Sequence, residues 1–110
     1  MPSYPHRRDF ARVPARRTAR LSRGLQVVGS RPLRDVGLGG VYVEGEGPLV
    51  VGETCRMEIE LGPGARILAT ARVLRVEPGR GAALEFTEMT LDCFDDLDRF
   101  VDAASRRVPS

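Results

Sequence analysis

From Thr54 to Leu61 the chain alternates without a break: Cys55, Met57, Ile59 and Leu61 fall on one side, Thr54, Arg56, Glu58 and Glu60 on the other. Successive side chains of a strand point to opposite faces, so this segment is a strand with one face in a core and the other in water. The same pattern recurs around it. Val41 and Val43 alternate with Tyr42 and Glu44 before Gly45-Glu-Gly-Pro48; Gly62-Pro-Gly64 separates the 54–61 run from a long strand over Ile67 to Val76; Pro78-Gly-Arg-Gly81 then leads into Ala82, Leu84 and Phe86. Strands cut at such short intervals by glycine and proline turns predict a mostly β chain, a small antiparallel sheet closing into a Greek-key-like barrel of about six strands. Closure removes the unpaired edges that would otherwise invite aggregation.

Upstream the pattern is poorer. A basic strand is expected from Ala15 to about Leu21, a second short extended piece at Val27 and Val28, and a lead from Leu33 to Val36 into a turn at Gly37 to Gly40. Pro32 lacks an N–H and is placed where a strand begins or forms an edge. At the far end Thr90 is an N-cap, Asp92, Asp95 and Asp96 suit the positive end of a helix, and Phe94, Leu97, Val101 and Ala104 recur at helical spacing. A C-terminal α-helix with one stripe against the barrel follows. The expected division is a flexible basic arm at 1–14, the barrel and helix at 15–104, and a tail at 105–110.

A length of 110 residues suits one compact domain. With four Phe, two Tyr and no Trp, aliphatic side chains must carry the interior. The formal net charge of +2 conceals a division: up to Arg34 there are nine arginines and one acid, from Asp35 onward eight arginines and fourteen acids. An anionic partner is drawn to the first part and repelled by the second. For Arg16, Arg17, Arg20 and Arg23 two alternatives stay open, steering of such a partner or folding back on the acidic body. No apolar run reaches the roughly 20 residues of a membrane span, and a cytoplasmic location is the expectation. Cys55 and Cys93 lie on apolar faces without a Cys or His at metal-ligand spacing, which predicts buried free thiols and no metal site.

Two short segments carry the chemistry: Arg7-Arg8-Asp9-Phe10-Ala11-Arg12, and Asp35-Val36-Gly37-Leu38-Gly39-Gly40. A guanidinium is a planar fork of donors that grips phosphate oxygens bidentately, reaches guanine O6 and N7, or stacks on a purine. A carboxylate does the complementary work, accepting from the N1–H and amine of the guanine Watson–Crick edge. Asp35 has two other uses: capping its own turn, or pairing with Arg34 or Arg12 when no ligand is bound. Gly39 and Gly40 allow either a close approach to a planar ligand or simply a bulge.

At these residues the chain resembles the PilZ family, receptors for the bacterial second messenger cyclic di-GMP. The family's Arg-x-x-x-Arg element is matched by Arg8 and Arg12, and its Asp/Asn-x-Ser-x-x-Gly element by Asp35 and Gly40. Gly37 stands in the serine place, so the hydrogen bond of that hydroxyl is missing. The resemblance implies a cyclic di-GMP site of Arg7, Arg8, Arg12, Asp35, Gly37 and Gly40, with Arg7 resembling the extra arginine of members that take up a mutually intercalated dimer of the ligand. Binding in reduced form is expected, with the arm wrapping over the barrel and altering the surface offered to a downstream protein partner.

Two other readings compete. One is a degenerate PilZ-like interaction module that has lost the nucleotide, favoured by Gly37 and opposed by Arg7, Arg8, Arg12 and Asp35. The other is an oligonucleotide-binding barrel, opposed by the acidic body and the few exposed aromatics. No catalytic residue and no cofactor are expected: the one histidine, His6, lies in the arm, and no nucleophile–base set or phosphate-binding Walker loop is present.

Overall fold

The structure, a computed structural model, describes residues 12–45 and 47–107. Among the described residues seven strands precede one helix: β1 (Val13–Pro14), β2 (Thr18–Arg23), β3 (Gln26–Val36), β4 (Gly40–Glu44), β5 (Thr54–Gly62), β6 (Ala65–Glu77), β7 (Gly81–Met89) and α1 (Leu91–Arg107). Every pairing is antiparallel. Strands β2-β3-β4 and β5-β6-β7 form two meanders, and the pairs β2–β5 and β4–β7 join them into a closed ring of six. The expected mostly β barrel with a C-terminal helix is the observed architecture.

Alternation along each strand fills the ring. Leu21, Val41, Val43, Met57, Ile59, Ile67, Val73 and Leu84 are fully buried within one aliphatic core. Burying a side chain of this size stabilises the fold by about 1.5–3 kcal/mol, so these strands are held chiefly by their inward faces.

Several boundaries differ from expectation. The strand expected from Ala15 to about Leu21 starts later, at Thr18 opposite Pro32, and a separate short β1 precedes it, pairing Val13 with Val36 and Pro14 with Asp35. Val13, expected in the arm, is buried in the core. Strand β3, expected in two pieces, runs unbroken through Pro32. Leu33 N–H donates to the Arg17 carbonyl at 2.8 Å, toward the β2 side. Neighbouring residues point their polar groups to opposite edges, so the Pro32 nitrogen faces the other edge. There the β4 pairing has already ended at Leu33–Val43, and no ladder hydrogen bond is lost.

Thr90 caps α1 as expected, its Oγ1 accepting from Cys93 N–H at 3.2 Å. Leu97 and Val101 are buried against the barrel, flanked by half-buried Phe94 and Ala104. The helix continues past Ala104 to Arg107, three residues into the expected tail.

The β4–β5 connection crosses one end of the barrel and is pinned there. Arg23 reaches Glu53 through two hydrogen bonds of 2.7 and 3.0 Å and the Pro48 carbonyl at 2.6 Å, while Val50 N–H donates to Glu53 Oε2 at 2.6 Å. Arg17 lies 5.5 Å from the Phe100 ring centre and donates to the Leu61 carbonyl at 3.0 Å. These two arginines therefore fold back on the body, Arg23 half-buried and Arg17 still exposed, as Arg16 and Arg20 are. Cys55 is buried and Cys93 half-buried, both as free thiols.

Candidate functional site

The site grows from an irregularity in β3. Leu33 and Val36 are both in the core, which leaves two residues between them where strict alternation allows one outward position. The register against β4 shifts between Leu33 and Asp35. Such a bulge re-aims side chains, and here Arg34 and Asp35 both reach the outer face, Arg34 exposed and Asp35 half-buried.

Arg12 enters from the chain just before β1 and donates Nη1–H to Asp35 Oδ1 at 2.9 Å; Arg34 donates Nε–H to Oδ2, also at 2.9 Å. The structure thus brings Arg12 and Asp35 together, the free-state pairing envisaged above, and it engages Arg34 as well as Arg12. Arg7 and Arg8 lie outside the described residues.

The glycine turn abuts this pair. Gly37 N–H donates to the Gly40 carbonyl at 2.9 Å, and the Gly39 carbonyl accepts from Phe86 N–H at 2.9 Å. Both Gly37 and Gly40 are buried. A Cβ on Gly40 would collide with the Leu84 carbonyl oxygen and come within 3.2 Å of Glu85 Cα. Packing of β4 on β7 therefore requires glycine at position 40, whatever a ligand requires.

The sequence reading missed what lies beneath. The Arg34 guanidinium carbon sits 3.7 Å from the centre of the Tyr42 ring. The Tyr42 hydroxyl donates to Glu77 Oε1, and Arg75 donates to Glu77 Oε2 at 3.2 Å. The Tyr42 hydroxyl, assisted by Arg75 and Arg80, holds the Glu77 carboxyl below its usual range; the same hydrogen bond and burial push the Tyr42 phenol up. The bond to Asp35 raises Arg34 still further, so it stays cationic. One signal was available: an aromatic at an outward position two residues after Gly40.

A groove of about 900 Å³ lined in part by Arg20, Leu25, Arg56, Leu68 and Met89 includes none of Arg12, Asp35, Gly37 or Gly40.

Residues 6–103 match the PilZ domain. The chain belongs to the PilZ family. Members of this family are generally cyclic di-GMP receptors, ligand-binding or effector modules. In structure the chain is similar to the Bacillus subtilis inhibitor of motility MotI/DgrA, with a TM-score of 0.71 and 22% identity, over 94% of this chain and 51% of that one. It therefore spans about half the length of MotI/DgrA. The PilZ domain of CeSA from a cellulose-synthesizing bacterium is also similar, with a TM-score of 0.65 and 22% identity, over 86% of this PilZ chain and 98% of that one. Identities this low speak for the fold alone. No match was found among curated protein sequences. Among the described residues no helix is long and apolar enough to cross a membrane.

Proposed function

We propose that this PilZ domain is a cytoplasmic cyclic di-GMP receptor in which Arg7, Arg8 and Arg12 close over the rim formed by Asp35 and the Gly37–Gly40 turn. The contact between Arg12 and Asp35 carries the reading, since it brings the second arginine of one family element against the carboxylate of the other. The Arg12 partner suits exchange. The Arg12 side chain is 41% exposed, and a surface ion pair of this kind is worth only about 0–1 kcal/mol. A ligand offering two phosphates to the arginines and a guanine edge to Asp35 replaces it with several charge-assisted hydrogen bonds. The arm is then held over the barrel, and the altered surface is what a downstream protein meets. In this reading the domain signals by binding and performs no catalysis.

A degenerate interaction module is the second reading, favoured by one observation: both oxygens of Asp35 are already satisfied by Arg12 and Arg34. Gly37 adds to it. The oligonucleotide reading loses ground, because every aromatic among the described residues is buried or half-buried and offers no open stacking face.

Calorimetric titration with cyclic di-GMP, beside GTP and cyclic di-AMP, tests the proposal. Saturable heat with cyclic di-GMP alone supports the receptor; no saturation at millimolar excess leaves the interaction module.

A further inference from the structure

The Arg12–Asp35 pair is the outer end of a longer chain of contacts. Tyr42 points outward, because Val41 and Val43 on either side of it belong to the core. Its ring is nevertheless only 1% exposed. Gly81 makes the room underneath, where a Cβ would stand 2.7 Å from Tyr42 Cε1, and Arg34 lies across the ring at 3.7 Å. Glu77, in turn braced by Arg75, holds the hydroxyl. The ring is thus fixed at its hydroxyl and packed close to Gly81, and the cation over it is fixed by the ring and by Asp35 Oδ2.

We propose that Tyr42 is a positioning residue for the base-reading carboxylate: through Arg34 stacked upon it, it fixes the plane of Asp35 for the guanine edge. This rests on the receptor reading above. A guanine presents N1–H and its amine side by side in one plane, so it needs a carboxylate whose plane is already set. An arginine on an exposed strand face is ordinarily free to rotate and sets nothing. Stacked on a buried ring, it keeps its planar fork in one orientation and transmits that orientation through Nε. Tyr42 reads no ligand itself, since Arg34 covers it.

A double-mutant cycle on the full chain tests the relay, with cyclic di-GMP affinity measured by calorimetry for wild type, Tyr42→Leu, Arg34→Ala and the double variant. Each single change is expected to weaken binding about five- to tenfold, and the double variant no more than the weaker of the two. Tyr42→Phe keeps the stacking face and is expected to bind better than Tyr42→Leu. Losses that add in full overturn the relay and make Arg34 a direct ligand contact, and an unchanged affinity in Tyr42→Leu overturns it too. Should Tyr42→Leu fail to fold, Arg34→Lys decides: lysine keeps the charge but neither fork nor stacking and is expected to bind as weakly as alanine, whereas wild-type affinity overturns the proposal. A wild-type chain that takes up no cyclic di-GMP removes the receptor reading and the relay with it; a wild-type chain that binds while the variants match it removes the relay alone.

Discussion

Arg12 and Asp35 are 23 positions apart in the chain and 2.9 Å apart in space, and their ion pair is too exposed to matter much to the fold. The consequence is a separation of effects. Arg12→Ala is expected to cost about 0–1 kcal/mol of stability, yet to weaken cyclic di-GMP binding at least tenfold, because a charge-assisted hydrogen bond contributes about 1.5–3 kcal/mol. Thermal melting and calorimetry on one preparation read both. A clear fall in melting temperature with unchanged affinity would assign Arg12 to the barrel and not to the ligand.

Gly40 behaves in the opposite way. Its missing side chain lets β4 approach the backbone of Leu84 and Glu85, which cannot swing aside as the end of a flexible side chain would. Gly40→Ala is expected to destabilise the domain by about 1–3 kcal/mol, the ordinary cost of overpacking. Urea denaturation checks this. An unaltered midpoint would mean that the β4–β7 seam yields, and that glycine is kept at this position for the ligand.

The barrel was legible in the sequence because its strands are half-buried and alternate strictly; Thr54 to Leu61 could be read almost residue by residue against β5. Strand β3 was not legible, since Gly29 and Pro32 within it are breakers by composition, and only the position of Pro32 on an edge beyond the β4 pairing makes it harmless. At the site, Asp35 could be named from its motif. The bulge that turns both Arg34 and Asp35 outward leaves only the two polar residues between Leu33 and Val36 as a local mark, and its register against β4 cannot be read from them. Tyr42 and Glu77, 35 positions apart, meet only through the β4–β7 and β6–β7 pairings, which no local spacing announces.

Acid sensitivity should trace in part to Glu53. The Arg23 side chain, together with the Val50 N–H, holds this carboxyl below its usual value of 4.5. A group whose folded value is depressed stabilises the fold above the unfolded value and loses that contribution as pH falls through the folded one. Glu53→Gln is therefore expected to lower the urea midpoint at neutral pH, with the difference from wild type closing as the pH drops below 4.5. Glu77, depressed chiefly by the Tyr42 hydroxyl, adds a second contribution of the same sign that the variant retains. A difference that stays constant into acid would show that the loss at Glu53 is one of packing and not of charge.

Gly37 permits the most direct test of the ligand reading, because nothing in its backbone demands glycine. The left-handed glycines are Gly24, Gly29, Gly45, Gly52, Gly64 and Gly79, none of them in the 37–40 turn. Serine at position 37 supplies the hydroxyl that the family element carries there. One neutral hydrogen bond contributes about 0.5–1.5 kcal/mol, and one to a phosphate about twice that. Gly37→Ser is thus expected to tighten cyclic di-GMP binding about two- to tenfold or more. Gly37→Ala is the necessary companion: it adds the same Cβ to a buried position and stiffens the unfolded chain in the same way, but brings no hydroxyl. If serine binds no better than alanine in calorimetry, the turn does not face the nucleotide, and the rim must be drawn from Asp35 and the arginines alone.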